Sequence, residues 1–481
     1  MSNPAYPANV FAEIDAACAA FAEQEQIPGV ALGIVQEGRL VHTVTTGLAD
    51  REGGRPVEAA TAFRIASMTK SMTALAILSL RDRGWLQLDA PLAHYVPQFG
   101  AVKPATRDSA PVTVRHLLTH TAGFVTDDPW GDRVLGMSPA ELDTVIATGH
   151  LFARPPGLAF EYSNLGYALL GRVLTNVSGE PYQAYMRRTF LEPLGMAHTT
   201  FDAPAAAARG DYAFGYRLDL DQDGGETWSR ERIEPDGEVG AMGGLATTVP
   251  DYASYVSFLL GAWPARDEPE TGPVRRSSVR EMVLWHAPPF VPETPPGARA
   301  GQPSAYGYGL THSTDALLGM RIHHAGGLPG YGSHVLMLPE RGWGVFAFGN
   351  RTYAPMSRLT LDVAEKLHAA SPPLPLAPPS PSLVRAVDAI VAAYASGHIE
   401  GGDRPFAVNF LLDVPAVLRD AELASLKRRL GEGRLERIEP IHALAGRFVV
   451  ACAKGRLNGT VTLSPEADSG IQKLVLTAPE A

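Results

Sequence analysis

An α/β (α+β) fold is predicted for this chain: an antiparallel sheet flanked by helices, interrupted by a helical insertion lobe, and followed by a small C-terminal α+β module. Three observations in the 481 residues predict it. Runs with strand patterning occur near the N-terminus and return after residue 212, with a mostly helical stretch, 67–200, between them, so strands far apart in the chain must share one sheet. A proline-dense segment, 371–382, can continue neither helix nor central strand, because proline removes a backbone donor and fixes φ. Roughly a hundred residues beyond it carry helix and strand patterns of their own.

In chain order, 11–25 is alanine-rich and amphipathic and reads as a helix, and 29–36 and 40–46 read as strands split at Glu37-Gly38. The lobe contributes helices at 71–80, 112–118, 139–148, 167–177 and 182–190. Strands follow at 212–218, 321–324, 333–338 and 343–350, and a helix over 358–369 closes the first domain, 1–370. After the linker 371–382, helices at 383–394 and 416–430 and strands at 434–441, 446–453, 457–463 and 471–476 make up the module 383–481. That module faintly resembles the cystatin-like or NTF2-like modules that accompany some hydrolases. Interaction, homo-oligomer formation and shaping of the cleft are its candidate roles.

Composition narrows the function classes. With 45% hydrophobic and 19% charged residues the chain can bury a large core, and it is too long for one ordinary domain. A formal charge of −10 argues against a nucleic-acid partner, since phosphate binding draws on clustered lysine and arginine. Arg275-Arg276 and Lys427-Arg428-Arg429 are short and read as solvated faces. Cys18 and Cys452 stand in apolar settings at opposite ends and read as buried thiols in a reducing compartment. Residues 1–10 lack a basic n-region and an apolar h-region, and no apolar run reaches membrane-spanning length. A soluble, cytoplasmic protein without a membrane partner is expected.

The chemistry is carried by three separated elements. Ser67-Met68-Thr69-Lys70 is the only serine-x-x-lysine in the chain, and on a helix its two functional side chains share a face. A hydroxyl becomes a good nucleophile when a neighbouring base takes its proton, which a lysine does if burial lowers its pKa from about 10.4. Tyr162-Ser163-Asn164 is the only tyrosine-x-asparagine, and His324-Ala325-Gly326 opens the glycine-rich run 326–330.

These elements stand in the order of the penicillin-binding protein and β-lactamase signature, and further words surround them: Phe63-Arg64-Ile65-Ala66, the run 116–123 (HLLTHTAG), Pro193-Leu194-Gly195-Met196 and the run 243–248 (GGLATT). The first 370 or so residues accordingly resemble the serine β-lactamase-like hydrolases, the group holding class C β-lactamases, D-aminopeptidases, DD-carboxypeptidases and β-lactamase-fold esterases. The resemblance implies the β-lactamase/transpeptidase-like fold, with Ser67 as the acylated nucleophile and Lys70 sharing its proton. It implies Tyr162 as the general base, kept toward its phenolate by Lys70, and Asn164 as a partner of Lys70 or of the substrate carbonyl. His324 stands where many relatives carry lysine. The N–H groups of Ser67 and Gly327 are the implied oxyanion donors, with Gly326 and Gly327 allowing close approach of the substrate.

Other motifs are set aside. His116 and His120 lack an intervening glutamate and belong to the family word, so they read as structural links between lobe and sheet. His323 and His324 point to opposite faces of a strand. Asp219, Asp221 and Asp223 copy half a calcium loop whose twelfth position is Arg230, so a hairpin turn explains them better. There is no glycine-x-serine-x-glycine elbow and no phosphate-binding loop, and neither a metal nor a cofactor is called for.

The leading expectation is a serine hydrolase that forms an acyl-enzyme on a carboxylic ester or a small amide or peptide. A neutral histidine at position 324 lacks the charge that would attract a lactam carboxylate, which makes a weak β-lactamase a lesser alternative. D-amino-acid peptidase or amidase and acyltransferase activities share the chemistry. The loops 125–136 and 287–304, with Trp130, Arg133 and Tyr306 as wall candidates, would set preference. A catalytically silent binding or scaffold protein is the rival from another class, and the joint presence of Ser67, Lys70, Tyr162 and Asn164 counts against it.

Overall fold

The computed structural model describes residues 8–220, 225–287, 304–372, 378–400 and 405–478, which fall into two compact units, Met1–Pro372 and Pro373–Ala481. Strands of the first unit are β1 (Gly29–Gln36), β2 (Arg39–Asp50), β3 (Arg55–Pro56), β4 (Phe63–Arg64), β5 (Tyr216–Leu220), β6 (Glu226–Arg230), β7 (Ala246–Thr247), β8 (Ser304–Tyr306), β9 (Thr311–Asp315), β10 (Gly319–Leu328), β11 (Tyr331–Leu338) and β12 (Trp343–Gly349). Among the described residues, eight of them form one antiparallel sheet in the order β3-β2-β1-β12-β11-β10-β9-β8. The two halves of the sheet join where β1 pairs with β12, Val30 opposite Gly349 and Ile34 opposite Val345.

Alternation along β1 explains why both faces of this sheet are covered. Val30, Leu32 and Ile34 point to a core built with the helices Ala8–Gln24 and Met356–Ala369, while Ala31 and Val35 point to a second core shared with the helical lobe and the helix Val249–Leu260. Asn350, fully buried, fastens the join: its side chain accepts from Gly29 N (2.6 Å) and donates to the carbonyls of Leu48 and Phe214 (3.0 Å each). In the lobe, the helix Thr69–Asp82 buries every residue from Thr69 to Leu80, and the helix Asn164–Ser178 every residue from Asn164 to Leu174. A helix buried on all faces has no amphipathic stripe and is held by packing on every side.

The structure departs from the sequence reading in several places. The strand expected over 212–218 is β5, and it pairs with β6 as a separate ribbon. The turn between them, 221–224, lies outside the described residues, as does most of the 287–304 loop. The edge strand β8 and its neighbour β9 are absent from the sequence reading, because Thr311–Asp315 is polar and shows no period-two apolar pattern. The helix expected over 182–190 ends at Met186 and gives way to a π-turn, Arg187–Leu191.

The second unit has its own core. Its strands β13 (Gly433–His442), β14 (Ala445–Cys452), β15 (Gly455–Leu463) and β16 (Ile471–Thr477) make an antiparallel meander in chain order, packed through Phe448, Val450 and Val461 on the helices Pro381–Ser396 and Ala416–Leu430. The first of these helices begins inside the proline-rich segment: Ser380 accepts from Leu383 N, and Pro381 takes the first helical position, where its missing N–H is not needed. Cys18 and Cys452 are both free thiols. No helix among the described residues is long and apolar enough to cross a membrane.

Candidate active site

Ser67 sits in a short 3₁₀ turn, Ala66–Met68, that runs directly into the helix Thr69–Asp82. The turn is forced: Ala66 has φ +48°, a left-handed conformation a β-carbon disfavours. Surrounding contacts hold it there. Ile65 N donates to Leu245 O (3.0 Å), and Ser333 Oγ on β11 donates to Ile65 O (2.7 Å). Gly326 on β10 lets the strand press onto this turn, since a β-carbon there would lie 2.3 Å from Ile65 O and 2.2 Å from Ser333 Oγ. Gly326 thus serves the packing of the nucleophile turn.

One turn on, Lys70 is wholly buried, and its Nζ donates to Ser67 Oγ (3.0 Å), Asn164 Oδ1 (2.7 Å) and Met242 O (2.8 Å). Three acceptors match the three N–H groups of an ammonium. Burial brings its pKa down to about 8, against the opposing pull of Asp128, Asp132 and Asp127. Its carbonyl neighbourhood is tight as well: Gly309, at φ +70°, approaches so closely that a β-carbon would lie 2.7 Å from Lys70 O.

Tyr162 precedes the helix Asn164–Ser178, whose N-terminus is held by a carboxylate. Asp127 accepts from Asn164 N (2.6 Å) and Leu165 N (2.8 Å), which satisfies two of the orphan donors of that helix end. Asn164 is spent at both ends: Oδ1 receives Lys70, and Nδ2 donates to Asp128 Oδ1 (2.8 Å). Of the two partners expected for Asn164, the structure supplies Lys70.

The structure reverses the expected state of Tyr162. Burial foremost, then the charge of Asp128, push its hydroxyl well above the ordinary tyrosine value, and the hydrogen bond with Ser67 only partly offsets this. Lys70 Nζ lies 4.9 Å from the centre of the Tyr162 ring, over its face, where it interacts with the π-system. The phenolate is therefore disfavoured and the phenol is the resting form.

His324 faces the same site from β10. Its Nδ1 lies 2.5 Å from Ala325 O, which can only accept, so Nδ1 carries the proton and Nε2 accepts from the Tyr306 hydroxyl at 2.8 Å. Burial and Lys70 bring its pKa down to about 3. His324 is thus neutral at pH 7, with both nitrogens engaged. His120 packs behind Tyr162, ring centroids 4.2 Å apart, touches Tyr306 on β8, and receives Ser163 N on Nδ1 (3.1 Å). That is the lobe-to-sheet link expected of it. His323 turns away from His324 toward Ser313 (3.2 Å).

Ser67, Tyr162, His324 and Gly327 border one cavity of about 500 Å³. Pairing of β10 with β9 stops at His323 opposite Thr311, so among the described residues 324–328 have no strand on that side and their backbone edge is open beside it. Sequence reasoning missed several wall residues: Phe160, Tyr353, and the carboxylates Asp128 and Asp132. Asp127, Asp128 and Asp132 follow closely on the 116–123 word, and three acidic residues so near that word were the signal available. Tyr306 lines the cavity as expected, whereas Trp130 and Arg133 do not. Strain concentrates here: of five non-glycine residues with positive φ among the described residues, Ala66, His120 and Tyr353 flank the site.

With this geometry in view, comparison with known proteins is informative. The Beta-lactamase family model matches residues 14–370. Protein flp of Staphylococcus aureus (strain NCTC 8325 / PS 47) is 27% identical over 329 residues, 68% of this chain and 60% of that protein, so the chain spans about three fifths of the length of such relatives. Esterase EstB of Burkholderia gladioli is 33% identical over 210 residues, 40% of this chain and 52% of that one. The structure of the octameric penicillin-binding protein homologue from Pyrococcus abyssi superposes with a TM-score of 0.63 at 22% identity, covering 97% of this chain and 99% of the other.

Proposed function

The chain belongs to the Beta-lactamase family, whose model spans residues 14–370, and from that premise we propose that it is a hydrolase of carboxylic esters or small amides working through an acyl-enzyme on Ser67. The observation that carries the proposal is the environment of Lys70 Nζ. In the neutral amine, two N–H groups stay with Asn164 Oδ1 and Met242 O, and the lone pair is left facing Ser67 Oγ at 3.0 Å. Lys70 then accepts the Ser67 proton as Oγ attacks the substrate carbonyl. The tetrahedral oxyanion is met by the N–H groups of Ser67 and Gly327. Tyr162, neutral and hydrogen-bonded to Ser67, donates its proton to the departing group and is reprotonated from Lys70. Water repeats the sequence in reverse to release the acid.

Ester or amide cleavage is favoured over lactam hydrolysis because His324 is neutral with both nitrogens occupied, so it offers a carboxylate no charge. The similarity to an esterase agrees with this reading. Labelling by a fluorophosphonate probe with turnover of p-nitrophenyl acetate or butyrate tests it; absence of both, or equal labelling of Ser67→Ala, refutes it. Self-association through Pro373–Ala481 is part of the same proposal. Its support is the octameric state of the Pyrococcus abyssi homologue, and light scattering on the whole chain tests it. A cytoplasmic location is also carried forward, for cell fractionation to check.

A further inference from the structure

The cavity beside Ser67 carries a charge pattern that does more than tune Lys70 and Tyr162. Its wall holds two carboxylates, Asp128 and Asp132, and, among the described residues, no lysine or arginine. Asp128 Oδ1 is occupied by Asn164, and the residue is exposed. Asp132 is 4% exposed; Oδ2 accepts from the Tyr353 hydroxyl at 2.8 Å, and Oδ1 is buried without any hydrogen-bond partner. A buried carboxylate oxygen without a donor is costly to leave that way. The neighbouring cation, Arg133, is engaged elsewhere, on Glu231 at 3.1 Å. Phe160, Tyr162, Tyr306 and Tyr353 also line the wall, and aromatic faces attract cations.

We propose that Asp128 and Asp132 form an ammonium subsite, and that the substrates are esters or amides of amino acids whose free amine lies beside the scissile carbonyl. The inference rests on Ser67 being the acylated nucleophile. The same wall repels a carboxylate at that position, which adds discrimination against anionic substrates to the missing attraction at His324. Burial foremost, with Asp128 and Asp127 adding repulsion, raises the Asp132 carboxyl to about 7 against the lowering effects of the Tyr353 hydrogen bond and of Lys70.

The test compares kcat/KM at pH 7.5 for three esters of similar size: alanine methyl ester in both enantiomers, methyl isobutyrate, in which a methyl replaces the ammonium, and monomethyl malonate. The expected order is ammonium over neutral by roughly ten- to hundredfold, the range of a charge-assisted hydrogen bond, with the malonate slowest. In Asp132→Asn and Asp128→Asn the ammonium-to-neutral ratio falls toward one, and Asp132→Glu retains part of it. A wild-type ratio of one or less, or a ratio unmoved in both asparagine variants, overturns the proposal. Calorimetry on Ser67→Ala with benzylammonium, benzyl alcohol and phenylacetate decides the subsite independently of turnover. Tighter binding of the cation by about tenfold or more upholds it, and equal or reversed binding overturns it. If no ester is turned over and no fluorophosphonate label forms, the acyl-enzyme reading fails, while the calorimetric arm still reports on the subsite.

Discussion

Replacing Asp128 with asparagine perturbs the proton chemistry of the site through charge alone, since an asparagine carbonyl can still receive Asn164 Nδ2. The link from Lys70 Nζ to Asn164 Oδ1 is 2.7 Å and from Asn164 Nδ2 to Asp128 Oδ1 is 2.8 Å. Across the amide, that places the ammonium about 7 Å from the carboxylate, and 332/(εr) with an effective ε of about 40, chosen because Asp128 is exposed, gives about 1 kcal/mol. Loss of that stabilisation of the charged amine moves Lys70 from about 8 down by about one pH unit. If neutral Lys70 is the base, kcat/KM for p-nitrophenyl butyrate in the wild type rises with pH to a plateau through an apparent pKa near 8. The rising limb in Asp128→Asn lies about one unit lower, and activity at pH 6 increases relative to the plateau. The apparent value belongs to the coupled Ser67–Lys70–Tyr162 unit. A wild-type limb above pH 10 would assign the base to the Tyr162 phenolate. A limb that stays put or moves upward in the variant would refute the electrostatic account.

Lys70→Ala and Tyr162→Phe should each reduce the acylation rate by roughly a thousandfold, as expected for members of a coupled unit, measured by stopped-flow labelling with a fluorophosphonate. Because the folded-state pKa of Lys70 is about 8 against 10.5 unfolded, the native state binds fewer protons between those values, so this group makes stability rise with pH across that window, while its full cost persists below pH 8. Urea unfolding at pH 7 and pH 9.5 should therefore differ by about 2 kcal/mol more in the wild type than in Lys70→Met, and identical differences would refute it. Gly309→Ala should lose about 3 kcal/mol and most of the activity, since both its positive φ and the 2.7 Å approach to Lys70 O forbid a β-carbon; near-native melting would show that this turn can yield.

Much of the arrangement was legible in the sequence where a local rule coincides with the tertiary one. Ser67 and Lys70 share a helical face by spacing, and the strands β1, β11 and β12 announce themselves as dense apolar runs. The second unit was readable almost element by element, because its meander needs only neighbouring strands. What escaped depends on contacts across the chain. The polar strand β9 is a strand because β10 pairs with it on one side and β8 on the other. Tyr162 carries no mark of its protonation state, which is set by burial and by Asp128. Asp132 became significant only once its Oδ1 was seen without a donor.

The pairing of Val30 with Gly349 bears on how the molecule comes into being. During synthesis, β1 and β2 leave the ribosome early and pair with each other, but the other edge of β1 must wait for about three hundred further residues, roughly 15–60 s at ordinary elongation rates. Over that interval an apolar strand carrying Val30, Leu32 and Ile34 presents an unpaired edge, open to the same strand of a neighbouring polysome product. Soluble yield of this protein is accordingly expected to depend on the delay between these two strands as well as on the stability of the finished sheet.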